Sequence, residues 1–180
     1  MPTDNSLLGS DVCIMLRFRD MVTEPRGNIA EHARLIDEFG YAWWGWWARN
    51  QEKAPRDQLA KLFDDSAREV RIILFDTGLM ECYQTLCSRV VLAPGGEGIG
   101  SPDFRATPHY YVRGRYPAWF RLHGPIEAID RRAFTVVERP TLGVTRMAPE
   151  DGQALGLNEM RDERPTLWLV QNEVDDGGPS

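Results

Sequence analysis

From Val12 to Phe18 the side chains alternate, with Val12, Ile14, Leu16 and Phe18 on one face and Cys13, Met15 and Arg17 on the other, which predicts a first strand. Thr23 to Gly27, containing Pro25, reads as a loop. A helix is expected from Asn28: Asn28 and Glu31 stand at capping-box spacing, Ile29, Ala33, Leu35, Ile36 and Phe39 make an apolar stripe, and Gly40 ends it. Tyr41 to Trp47 is expected as a second strand, because consecutive aromatics favour extended backbone. Pro55 to Arg68 reads as a short amphipathic helix built on Leu59, Leu62 and Phe63. Val70 to Phe75 and Met80 to Leu92 flank Asp76-Thr77-Gly78 and read as a hairpin.

Beyond Leu92 the pattern loosens. Pro94 to Pro108 is a loop rich in Gly and Pro, followed by strands at Ala118 to Ile129, interrupted at Gly124-Pro125, and at Phe134 to Glu138. Leu167 to Val170 is a late strand, and the stretch before it carries no assignable order. Residues 1–10 and 175–180 are expected to be disordered. Many short strands and few helices predict an α+β fold: a small curved sheet or partly closed β-barrel with two or three flanking helices, as a single domain over residues 1–180. Helices and strands do not alternate regularly enough for a doubly wound sheet.

Composition narrows the function classes. No apolar run reaches the roughly 18 to 20 residues that cross a bilayer, so no membrane partner and a cytoplasmic location are expected. Cys13, Cys82 and Cys87 are too few for a disulfide scaffold, and the opposite parity of Cys82 and Cys87 sends them to opposite faces of one strand. The net charge of −6 argues against coating duplex nucleic acid. Charge is nevertheless uneven: Arg105 to Arg146 holds eight arginines against three acids, while Met147 to Ser180 holds eight acids against two arginines. Arg113, Arg115 and Arg121 in the basic middle are therefore candidate phosphate contacts, with mutual neutralisation at the surface as the plainer alternative.

The densest chemical signal is Trp43-Trp44-Gly45-Trp46-Trp47, four of the six tryptophans in five positions. In an extended segment Trp44 and Trp46 share a face about 6.5 to 7 Å apart, near the gap that admits one planar ring, and Trp43 and Trp47 share the other. Packing in the core or at a subunit interface competes with that reading. Arg17 and Arg19 share a face near the end of the first strand and suit a phosphate or a stacked ring, or plain ion pairs. Asp76 suits the hairpin turn, with a hydrogen bond from a base or sugar as its functional alternative. Ser101, His109, Tyr110, Tyr111 and Trp119 offer a second wall. The run Gly95 to Gly100 lacks the lysine and hydroxyl residue that end a phosphate-binding loop. No metal-ligand spacing, no cofactor motif and no catalytic constellation can be assembled.

The order of elements over residues 11–138, with the aromatic strand Trp43, Trp44, Trp46 and Trp47, resembles the PUA-like superfamily, especially its EVE, YTH and ASCH domains. The resemblance implies a small barrel meeting helices, with aromatic residues lining a pocket for a modified base or nucleotide. The run is denser than the usual cage and the chain more acidic than a nucleic-acid reader. The reading is thus a non-catalytic recognition domain that stacks a small planar ligand, a nucleotide or modified base, ahead of a short single strand, with binding that resists moderate salt. The alternatives are a homodimer or protein-partner module using the tryptophan strand and, ranked last, a nucleotide-processing enzyme.

Overall fold

Val12–Phe18 forms β1, and both sides of its alternation are used. Val12, Ile14 and Leu16 enter one hydrophobic cluster, Cys13 and Met15 a second. A strand buried on both faces needs cover on both sides of its sheet. The structure, a computed structural model, describes residues 12–20, 24–49, 52–64, 69–95, 97–138, 154–163 and 165–171. The expected disorder at 1–10 and 175–180 lies outside these residues.

The first face is covered by α1, Gly27–Phe39, and α2, Arg56–Asp64, through Ile29, Leu35 and Ile36 and through Leu59 and Leu62. The start of α1 differs from the expected capping box. The carboxylate of Asp20 accepts the Gly27 and Asn28 amides, each at 3.0 Å, while Asn28 itself is buried. Asp20 therefore meets the unsatisfied N–H groups of the first turn. Gly40 stops the helix in the left-handed region, φ 84°, with its N–H donating to Ile36 O at 2.8 Å.

β2 is Ala42–Gly45, shorter than the aromatic run. A Cβ on Gly45 would lie 2.8 Å from Tyr116 Cδ2, so only glycine lets the tyrosine pack there. β3, Val70–Asp76, and β4, Glu81–Leu92, form the expected hairpin. β5, Ala118–Ile129, runs on through Gly124-Pro125 instead of breaking, because its pairing with β4 shifts register there. A 3-10 turn, Phe104–Ala106, the short α3, His109–Val112, β6, Ala133–Glu138, β7, Ala154–Gly156, α4, Leu157–Asp162, and β8, Leu167–Gln171, complete the described elements. Leu157 and Met160 of α4 pack on the second face with Trp168 and Phe134.

The eight strands lie in the order β2-β5-β4-β3-β1-β8-β6-β7. β2 and β7 are its ends, so among the described residues the sheet is not closed into a barrel. Among the described residues there are four α-helices where two or three are expected, the additional ones spanning only four and six residues. All pairings are antiparallel except β1 with β3, where Phe18 stands opposite Asp76. Cys82 and Cys87 do face opposite sides of the sheet, and all three thiols are buried and free. Burial drives the Cys13 pKa up to about 11 and those of Cys82 and Cys87 up to about 12.

Candidate functional site

Because β1 and β3 are parallel, their carboxyl ends reach the same border of the sheet, and a cleft of about 480 Å³ opens there. Crevices at the carboxyl ends of parallel strands are habitual ligand sites in open sheets. Arg17, Phe18 and Arg19 leave β1 into it, Thr77 follows β3, and the segment from Trp44 to Arg49 forms one side. Tyr111, Arg161 and Thr166 complete the lining. The Thr77 amide and hydroxyl both donate to Phe18 O, at 3.0 and 3.2 Å, tying the two strand ends together.

The aromatic side is graded in exposure. Trp44 is 2% exposed: the His32 imidazole lies on it at 4.4 Å between ring centroids and 34° between planes, and Phe18 meets it edge-on at 5.0 Å. Burial lowers the His32 pKa to about 4, so the ring against Trp44 is neutral at pH 7. Trp46 is 1% exposed, and its indole N–H donates to Thr166 Oγ1 at 2.9 Å. The expected ring-sized gap between Trp44 and Trp46 is thus absent. Both belong to one hydrophobic cluster and are almost fully buried, although both border the cleft. Trp47, one residue past the last buried indole, is 56% exposed at the rim. Trp43 points the other way, into a cluster with Tyr116 and Trp119.

The polar side holds Arg17. One of its terminal nitrogens donates to the carbonyls of Met160 at 2.8 Å and Arg161 at 2.9 Å, and also to Glu163 O, so it closes the carboxyl end of α4. Burial, followed by repulsion from Arg49, pulls its pKa down to about 10, which leaves it charged at pH 7. Behind the rim, buried Glu52 accepts the amides of Arg49 at 3.0 Å, Thr166 at 2.6 Å and Leu167 at 3.3 Å, together with the Thr166 hydroxyl. This one carboxylate fastens the segment carrying Trp47 and Arg49 to the start of β8. Among the described residues the lining contains four arginines and no carboxylate, in a chain of net charge −6.

Of the residues singled out in the sequence, Arg17, Arg19, Trp44, Trp46, Trp47 and Tyr111 come together here. The others lie outside the lining. Asp76 Oδ1 accepts the Gly78 and Leu79 amides at 2.8 and 3.3 Å, which is its turn role. Trp119 is buried and donates to Ile99 O at 2.9 Å, His109 is exposed on α3, and Tyr110 packs edge-on against Tyr111. The three basic-middle arginines are also elsewhere: Arg121 lies over the Tyr41 ring at 4.1 Å and donates to Ser88, Arg115 donates to Gly98 O, and Arg113 ends α3. Arg49, Glu52, Thr77, Arg161 and Thr166 were not marked in the sequence. Arg49 stands two residues beyond the tryptophan run and carried a local signal; Arg161 and Thr166 carried none.

Fold and cleft together define an open mixed sheet with an arginine- and aromatic-lined recess at its parallel strand ends. A family model described as Pua-like matches residues 14–178, and the chain belongs to the Pua-like family. No curated protein and no solved structure matches the chain. Among the described residues no helix is long and apolar enough to cross a membrane.

Proposed function

We propose that this chain is a non-catalytic recognition domain whose cleft takes a small planar, anionic ligand of the nucleotide or modified-base class. One observation carries the reading. A half-exposed indole, Trp47, shares the cleft lining with four arginines, and no carboxylate lines it among the described residues. An exposed indole next to positive charge suits a ring that brings negative charge with it. Membership of the Pua-like family supports the same ligand class. A cleft of about 480 Å³ lies within the range that holds a drug-sized molecule. The test is tryptophan fluorescence during titration with nucleotides, modified nucleosides and short single strands. Quenching or a spectral shift that saturates is expected; none at millimolar ligand, with the protein folded, overturns the reading.

The exposure of Trp47 also supports a second reading, an interface for another protein or a second copy, since aromatic residues anchor such contacts. Sedimentation separates the two. A stable dimer that dissociates on Trp47→Asp, with no small-molecule binding, supports the interface.

A further inference from the structure

We infer that the ligand carries a phosphate group and that Arg19 and Arg49 seat it at the mouth of the cleft, an assignment that rests on the proposed recognition function. Four guanidinium groups line the recess, but they are not equivalent. Arg17 is buried and commits Nη1 to the α4 carbonyls, leaving its buried Nη2 without a hydrogen-bond partner among the described residues, and Arg161 pairs with Asp162 at 3.1 Å. Arg19 and Arg49 are exposed, and among the described residues neither guanidinium has a hydrogen-bond or ion-pair partner. They approach from different segments. Arg19 follows β1, whereas Arg49 follows Trp47 on a backbone that Glu52 holds through the Arg49 amide.

Arginines on an acidic protein ordinarily find a carboxylate. These two border a recess whose described lining holds no carboxylate, and buried Arg17 adds a positive charge behind them that Glu52, Asp162 and Glu163 offset in part. Mutual repulsion of this kind is relieved by an anion between the groups. Two guanidinium forks bind the oxygens of a phosphate by paired, charge-assisted hydrogen bonds, and Trp47, two residues before Arg49, borders the same cleft. The exposed indole then takes the base while the arginines take the phosphate.

The experiment compares the four common nucleosides, their 5′-monophosphates and matched tetranucleotides with unphosphorylated ends, by tryptophan fluorescence at about 150 mM salt. Monophosphates should bind about tenfold more tightly than nucleosides, as one or two charge-assisted hydrogen bonds provide. The double substitution Arg19→Gln, Arg49→Gln should bring that ratio close to one. Arg34→Gln, on the exposed side of α1 between Glu31 and Glu38, should leave it unchanged. A monophosphate that binds more tightly than the tetranucleotide assigns a terminal phosphate, and equal or tighter binding of the tetranucleotide assigns an internal one. Nucleosides that bind as tightly as monophosphates overturn the phosphate seat and leave the recognition function standing. Binding of none of these, nor of the modified nucleosides at millimolar concentration, overturns both.

Discussion

Glu52 accepts the amide hydrogen of Thr166 at 2.6 Å across 114 residues of sequence. The same carboxylate takes the Arg49 amide and the Thr166 hydroxyl, so one side chain joins the rim of the cleft to the first residues of β8. Glu52→Ala strands these buried donors and should cost on the order of 3 kcal/mol, read from the urea unfolding midpoint. Glu52→Gln keeps an acceptor and should lose roughly half as much. Equal stability of all three proteins would show that the clamp contributes nothing.

Arg17 closes α4 by donating to carbonyls of its last turn. Arg17→Met keeps much of the volume and leaves those carbonyls unpaired, for an expected loss of about 2 kcal/mol. Faster hydrogen exchange should concentrate in 157–163. Uniformly faster exchange through the sheet would instead mark a general destabilisation.

Trp44 and Trp47 should separate stability from recognition. Trp44→Ala empties a packed site between His32, Phe18 and Tyr111 and should cost about 3 to 5 kcal/mol of folding stability. Trp47→Ala should change stability by no more than about 0.5 kcal/mol while weakening ligand stacking by about 1 to 3 kcal/mol. A large stability loss at Trp47 would place that indole in the fold rather than in recognition.

His32 gives the fold a dependence on acid. Its folded pKa is lowered to about 4, mainly by burial, from an ordinary value of 6.5. The unfolded chain therefore binds the proton first, so the contribution of His32 is complete above pH 6.5 and falls as pH drops toward 4. Across that window it amounts to roughly 3 kcal/mol. His32→Leu should remove this component of the slope in a series of denaturant unfolding curves, and an unchanged slope would rule the residue out.

Elements set by local pattern were legible in the sequence. β1 shows its alternation over seven residues, α1 ends where Gly40 permits a left-handed backbone, and the β3-β4 hairpin is bracketed by Asp76 and Gly78. The rest depended on distant partners. β7 and α4, at three and six residues, are too short to show a period, and α1 is capped by Asp20, eight positions before Asn28. At the site, the tryptophan run announced itself, yet its exposed member was decided by tertiary packing. Trp44 meets His32 and Trp46 meets Thr166, whereas Trp47 lies past the end of β2. The arginines followed the same logic. Arg121 belongs to the basic middle by sequence but is drawn onto Tyr41 by its pairing opposite Trp43.

The cleft draws its walls from β1, the turn after β3, the segment after β2, α3, α4 and the residue preceding β8. Its integrity therefore depends on segments far apart in the sequence, and any molecule seated there is linked to global unfolding by mass action. At a concentration of 100 times its dissociation constant such a molecule adds about 2.7 kcal/mol to the folded state. In a chain of this size that raises the melting temperature by roughly 5 to 10 °C. A library of metabolites can thus be screened for the natural occupant by melting curves alone, with no label and no assumption about what it is.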